Sequence, residues 1–486
     1  MTTGRTESRS SCSPTPRSTP ESTEGCEPRL DLTRPPATGN ARLDGLLHDI
    51  ADTTLEKSAR QRAQHHATWL SVKERSTEAL DWISRYDIAT DRLQQGVAVL
   101  NLSALNLQEG GETHHLNMED REFLSGWLCC TTNPMPVSLD LSAHHFTDKM
   151  AQWLAGLLDE SDSTRSKAPH PLRSLTISYC TLAVEQMAVI SQGFKKSSLE
   201  KLRYECDTDS ASQDKRLIEL AKGLKSHPTL RILRLGGHSS KRGLGAICGA
   251  MKHGNCLEEL DLSRCSGTTS DAQALSELLK STRTLKTLNI KFMEFKPSTT
   301  FNKKAGQRWT APTGTRQQIK RKAVAAVNRL RKKQPPVNSA FEALAGNCSL
   351  TILIADGAPF DDQLTLALAA FIGQENCRLK ELHHSGFEAK GEMRSLEVLK
   401  TATGKNRSLV KSHCNYPGDP CRYQAVLAEL AARNRGPLLK HAPLAMQALA
   451  NRSLGLEGAF PSDVAAGILD HLDPDSRLNL IRAMRI

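Results

Sequence analysis

A short leucine pattern recurs along the chain and sets the period of whatever it folds into. It is clearest from Leu257 to Cys265, where leucines stand at positions one, four and six and a cysteine at position nine. The leucines at position four are separated by 27, 31, 27 and 28 residues and are Leu175, Leu202, Leu233, Leu260 and Leu288. This period fits a unit of one strand and one helix, which buries its apolar side only by stacking on its neighbours.

The pattern predicts an α/β fold built as a solenoid. Residues 97 to 415 resemble ribonuclease-inhibitor-like leucine-rich repeats, because helical patterns such as Met150 to Leu158 follow the strands. The resemblance implies a horseshoe with parallel strands on the concave face and helices on the convex face. That repeat class places Asn or Cys at position nine. We therefore expect Cys180 and Cys265 to turn inward and bond backbone groups, rather than to bind metal or act as nucleophiles.

Changes in composition divide the chain into six predicted segments. They are a disordered Ser/Thr/Pro-rich tail (1–40), a helical N-terminal cap (41–95), repeats (96–295), a basic insertion (296–340), further repeats (341–415) and a helical C-terminal region (416–486). The tail is either a solvated appendage or a secretion signal of the unfolded, Ser-rich kind. Trp69 and Trp82 are expected to pack inside the cap.

The basic insertion carries more than the whole formal charge excess of +11, since residues 296–333 hold twelve Lys and Arg and no Asp or Glu. Two clusters within it loosely resemble a bipartite nuclear localisation signal: Lys320, Arg321 and Lys322, then Arg331, Lys332 and Lys333. A solvated loop and a site for acidic lipid or nucleic-acid phosphate remain alternatives.

The C-terminal region contains a short helical pattern that ends at an Asp-Pro turn. Its spacing resembles the opening of an F-box, which implies docking of a Skp-family adaptor, and it is carried by Phe460, Pro461, Asp463, Val464, Ile468, Leu469 and Leu472. The match spans residues 460–474, and the later helices of an F-box are not represented. A plain C-terminal cap is the alternative.

Sequence signatures of catalysis and cofactor binding are missing. The thirteen cysteines form no Cys-x-x-Cys pair, and there is no Walker A loop, His-Glu-x-x-His helix or Gly-x-Ser-x-Gly elbow. None of the cysteines opens the Cys-x-Asp motif of bacterial leucine-rich-repeat ubiquitin ligases. The doublets at residues 114–115, 144–145 and 383–384 pair histidines without an acidic residue at ligand spacing. We expect no enzyme, cofactor, metal, membrane span or Sec-type signal peptide, and a reducing site of action.

The whole architecture resembles leucine-rich-repeat type III effectors of plant-associated bacteria. That resemblance implies secretion from a bacterium into the host cytoplasm or nucleus, binding of host proteins and, in F-box relatives, recruitment of a host ubiquitin ligase. An intracellular scaffold directed to the nucleus, or a protein that stays cytoplasmic, is the alternative.

The strand positions beside the buried leucines should project from the opposite face and bind a partner. These positions are occupied by Lys201, Arg203, Glu205, Arg234, Glu259, Asp261, Thr287, Asn289, Lys291 and His383. Because both signs of charge alternate among them, a protein partner fits better than nucleic acid.

Overall fold

A computed structural model of the 486-residue chain describes most of the repeat region. The described residues are 35–87, 92–93, 98–104, 116–128, 137–159, 172–206, 211–252, 256–296, 343–344, 346–357, 362–384, 398, 401–402, 406–414 and 431–434. The basic clusters at 320–333 and the F-box-like residues 460–472 lie outside these ranges.

Ten parallel strands form one sheet, and their order in space is their order in the chain. They are β3 (Ala98–Asn101), β4 (Val137–Asp140), β5 (Leu172–Thr176), β6 (Lys201–Arg203), β7 (Ile232–Arg234), β8 (Glu259–Asp261), β10 (Thr287–Asn289), β12 (Ile352–Ala355), β13 (Glu381–His384) and β14 (Lys411–Cys414). Four other described strands pair outside it: β1 (Tyr86–Asp87) with β2 (Arg92–Leu93), and β9 (Ser266–Thr268) with β11 (Glu294–Lys296).

The position-four leucines are aligned across the sheet. Leu100 pairs in register with Leu139, and the row runs through the markers to Leu353 and Leu382. Every leucine of this row is at most 1% exposed. Removing each side chain from water contributes roughly 1.5–3 kcal/mol, so this row is a major source of stability.

Helices form the second layer, in which those that alternate with the strands cover the leucine side of the sheet and the first three lie at its end. They are α1 (Ala41–Ala51), α2 (Lys57–Lys73), α3 (Thr77–Arg85), α4 (Met118–Leu128), α5 (Asp148–Leu158), α6 (Val184–Phe194), α7 (Ala211–Leu224), α8 (Gly243–Ala250), α9 (Thr269–Ser281) and α10 (Asp362–Ile372). Helices α5 to α9 pack side by side in chain order, and their apolar faces join the strand leucines in one core. The predicted mixed fold with a parallel sheet is confirmed, whereas the horseshoe curvature stays a prediction.

The first three helices close the apolar end of the repeats. Trp69 joins the main core beside Leu80 and Leu100, while Trp82 packs with Leu43 and Leu47 in a second cluster. The two Trp side chains are buried, at 2% and 3% exposure, as predicted for cap residues. An end of the stack that would otherwise expose leucines is thus covered.

A left-handed residue follows the strand in most units. At position eight, positive φ angles of 54–76° occur at Ala143, Tyr179, Gly237, Arg264, Phe292 and Gly357. A residue with a side chain is held in this conformation only when its surroundings require it. The turn lets the next residue point back under the sheet.

The residue at position nine makes the inward contact that was predicted for the cysteines. Cys180 Sγ donates to the Leu141 carbonyl at 3.1 Å, and Cys265 Sγ donates to the Leu235 carbonyl at 2.7 Å. Both acceptors stand at position six of the preceding unit. Burial raises the pKa of each thiol to about 12, so neither is a thiolate near neutral pH.

Histidines take the same place in two other units, which the sequence analysis missed. His144 Nε2 lies 2.7 Å from the Leu102 carbonyl oxygen, and His238 Nε2 lies 2.9 Å from that of Tyr204. Since a carbonyl only accepts, Nε2 carries the proton in each neutral ring. His144 therefore belongs to the backbone ladder rather than to a metal site.

Two long intervals in the leucine pattern have different structural settings. Between β3 and β4, helix α4 begins at Met118, so this long unit contains a helix. Between Leu288 and Leu353 the chain runs 65 residues, yet β10 and β12 are direct neighbours. The intervening residues therefore place no strand between them in this sheet.

Candidate protein-binding face of the sheet

The predicted partner-binding residues within the strands share one face. Lys201 and Arg203 flank Leu202, Glu259 and Asp261 flank Leu260, and in each strand the central leucine is buried while its neighbours are partly exposed. The same alternation places Arg234, Thr287, Asn289 and His383 beside the leucines of their own strands, and Glu205 and Lys291 lie two residues beyond the ends of β6 and β10. We call this surface the strand face.

Charged groups on the strand face pair sideways, along the sheet and within strands. Arg203 donates to Glu205 at 2.8 Å, and Arg234 donates through Nε to Glu259 at 2.7 Å on the next strand. Further pairs join Asn289 to Asp261 (2.9 Å), Lys291 to Asp356 (3.6 Å) and His383 to Glu381 (3.7 Å). The last pair joins two residues of one strand, β13. This network orders the side chains before any partner arrives.

The electrostatic environment differs among the cations. The hydrogen bond to Glu205 raises the pKa of Arg203, so its charge is well compensated. In contrast, burial and then the neighbouring Arg234 lower the pKa of Lys201, against a smaller opposing effect of Glu259. The centre of the face around Lys201 is thus locally positive, although the face as a whole carries both signs.

Apolar members of the same face were not in the predicted set. Ile232 on β7 and Ile352 and Ile354 on β12 occupy the positions that flank the buried leucines. Tyr179 and Phe292, both at position eight, are 40% and 50% exposed at the edge where the strands end. Alternation from the leucines assigns the three isoleucines to this face, whereas Tyr179 and Phe292 have positive φ angles that alternation does not anticipate. Apolar and aromatic groups beside ordered charges are typical of protein-binding surfaces.

Other chemistries find little support among the described residues. No three His, Cys, Asp or Glu side chains within them are grouped so that they could hold a metal ion. The backbone N–H groups at the N-terminus of α8 already have an acceptor within the protein. Asp214 Oδ1 accepts hydrogen bonds from the N–H groups of Lys241, Arg242 and Gly243 at 2.7–2.9 Å. An anion that would bind those N–H groups meets a carboxylate instead.

Across the described helices, none combines the length and apolar character that crossing a membrane requires.

Comparison with known proteins does not assign this chain to a family. Neither a protein family nor a curated protein sequence matches this chain. The leucine row, the parallel registers and the helix layer decide the fold. It is a leucine-rich-repeat-like fold.

Two solved structures illustrate the similarity. An internalin (inlF) from Listeria monocytogenes is 10% identical, with a TM-score of 0.28, over 74% of this chain and 91% of its own. The structure titled Leiomodin-1 Actin-Binding Site 2 is 12% identical, with a TM-score of 0.24, over 50% of this chain and 99% of its own.

Proposed function

We propose that this protein is a non-catalytic interaction module that binds a partner protein across the strand face. The observation that carries the proposal is the in-register row of outward side chains, which are partly exposed on either side of the buried leucines. A row of adjacent strands offers a wide and rigid surface, and the lateral ion pairs hold its side chains in place. Mixed charge and interspersed apolar groups favour a protein over nucleic acid.

The test combines charge reversals on neighbouring strands. Arg203→Glu, Arg234→Glu and Asp261→Arg together should abolish capture of the partner, which is first identified by affinity purification from host cytosol and then purified. The matched control, Lys195→Glu, Lys222→Glu and Glu185→Lys, makes the same charge change at exposed positions on the helix layer. Capture should survive in the control. If the strand-face variant keeps its circular dichroism spectrum and still captures the partner, the proposal is wrong.

The setting proposed for this binding is a host cell entered through a bacterial type III machine. The Ser/Thr/Pro-rich composition of residues 1–40 supports it. Fusing that segment to a translocation reporter tests it, since the reporter should enter host cells only from a secretion-competent strain. Entry from a secretion-deficient strain, or no entry, would contradict it.

A second candidate function is an adaptor for ubiquitination, favoured by the F-box-like spacing from Phe460 to Leu472. Purified Skp-family protein should bind the full chain and not a variant without residues 455–486. Equal binding of both removes this candidate.

A scaffold directed to the nucleus is favoured by the two basic clusters between Lys320 and Lys333. A fluorescent reporter fused to residues 303–333 should accumulate in the nucleus. Replacing the two clusters by alanine should return it to the cytoplasm, and accumulation without them would count against targeting.

A further inference from the structure

Three cationic side chains meet at the centre of the strand face. Lys201 and Arg203 lie on β6, and Arg234 lies on β7 directly beside Arg203 in register. Neighbouring strands are about 4.8 Å apart, so these long side chains reach a common volume above the sheet. Ile232, which pairs with Lys201, forms an apolar border beside them.

The three side chains keep unused donor capacity. A guanidinium has five N–H donors, and Arg203, whose side chain is 43% exposed, holds Glu205 through the single nitrogen Nη2. Arg234 holds Glu259 through Nε. Lys201 makes no hydrogen bond or ion pair with any described residue, and its pKa is lowered by burial and by Arg234. Three cations thus share two carboxylates, and a third carboxylate from a partner would give each cation a counter-charge.

The surrounding charges limit what can bind there. Glu205, Glu259 and Asp261 lie on the same or the adjacent strands, and Asp140 is close enough to raise the pKa of Arg203. A chain of phosphates would pass over these carboxylates at distances below the Debye length of about 8 Å, where repulsion is not screened. A single carboxylate on an otherwise neutral or mixed surface meets the cations without that repulsion. A protein side chain provides this arrangement.

We propose that Lys201, Arg203 and Arg234 form the recognition site for one Asp or Glu side chain of the partner protein. The proposal rests on the proposed function, because it assigns the chemistry of one contact within the strand face. Charge-assisted contacts to a carboxylate are short and directional, so this contact would fix the register of the partner along the sheet.

The probe is a phage-displayed library of random dodecapeptides, selected on the immobilised full-length protein. Enriched peptides should share one Asp or Glu position. Replacing that residue by its amide should weaken binding to the wild-type protein by about tenfold or more, measured by fluorescence anisotropy. The same replacement should change binding less than about twofold for Lys201→Gln, Arg203→Gln and Arg234→Gln combined, because the acid then has no partner.

The matched control is Lys195→Gln, Lys222→Gln and Lys280→Gln, three exposed lysines on the helix layer, which should behave as wild type. Lys201→Gln alone breaks no ion pair of the described residues and so keeps the test valid if the triple variant unfolds. A selection that yields no peptides, peptides without an acid, or an equal amide effect in wild type and variants overturns the proposal.

A further variant distinguishes failure of the carboxylate site from failure of the proposed function. Ile354→Arg alters the same face at β12, away from the three cations. Peptides that lack an acid but lose affinity for Ile354→Arg would overturn the carboxylate site and leave the strand face as the binding surface. Peptides that bind every strand-face variant as tightly as wild type would overturn both.

Discussion

The buried imidazole of His238 should make the stability of the repeats depend on pH, and replacing it by asparagine should remove the part of that dependence that this ring causes. His238 is fully buried, its ring packs 4.8 Å from that of Tyr204, and its Nε2 bonds the Tyr204 carbonyl. Burial is the main cause that lowers the pKa of His238 from 6.5 to about 4. The nearby Arg216 lowers it further, whereas the bond to Tyr204 and the charge of Glu205 oppose the shift.

The sign follows from proton binding in the two states. Between pH 6.5 and pH 4 the unfolded chain is protonated at this histidine while the folded chain is not, so acid favours unfolding. A shift of 2.5 pKa units corresponds to about 3 kcal/mol, of which about 2 kcal/mol is already lost at pH 5. This stabilisation is fully present above the unfolded pKa and is lost as pH falls toward 4.

Urea denaturation at a series of pH values from 4 to 8 measures the effect. Asparagine suits position nine in this repeat class and carries no titratable group. His238→Asn should therefore be less stable than the wild type at pH 8, but its free energy of unfolding should fall by about 3 kcal/mol less between pH 8 and pH 4. The control is His145→Asn, the same substitution at an exposed side chain, measured over the same pH series. A wild-type profile in His238→Asn would refute the assignment of the acid sensitivity to this ring.

Three further substitutions test the ladder, the turn and the helix start. Cys265→Ala leaves a buried carbonyl unpaired and should lower the free energy of unfolding by about 1–3 kcal/mol, whereas Cys256→Ala at an exposed thiol should be neutral in the same urea assay. Gly357→Ala should destabilise by about 2 kcal/mol, because φ is +75° and a Cβ would lie 2.1 Å from the ring of the preceding unit's turn residue. Gly249→Ala, with open space on α8, should stabilise by about 0.5–1 kcal/mol. Asp214→Ala should lower the thermal midpoint by removing an acceptor of three backbone N–H groups, at a cost of about 1–2 kcal/mol.

The sequence predicted the architecture well because the same physical demand repeats. A leucine at position four must be buried in every unit, so its spacing reports strand after strand, and even the weak unit at Leu409 to Cys414 supplies a strand of the sheet. The inward cysteines were predicted for the same reason, since a carbonyl at the strand exit needs a donor. Histidine was not recognised there, because it satisfies that need with an unfamiliar side chain.

The sequence locates the candidate site on one face of the sheet but does not show which of its residues are already paired with a neighbour. Alternation assigns Lys201 and Arg234 to one face, yet it does not show that Arg234 is paired with Glu259 while Lys201 has no ion pair among the described residues. Which of these cations forms an ion pair depends on the distances between side chains of neighbouring strands, and those strands are 25 or more residues apart in the chain. Apolar members such as Ile354 were passed over because a partly exposed isoleucine reads as core in a linear pattern.

The direct contact of β10 with β12 has a consequence for folding cooperativity. Leu260 and Leu288 are neighbours across 28 residues, whereas Leu288 and Leu353 are neighbours across 65. Closing the longer segment costs about 0.7 kcal/mol more in chain entropy, for a contact of three residue pairs, the same number that joins β8 to β10. In a stack of repeats that contact only their nearest neighbours, the repeats on the two sides of the β10–β12 contact can therefore unfold separately. Amide hydrogen exchange should then show two levels of protection, with the boundary between β10 and β12.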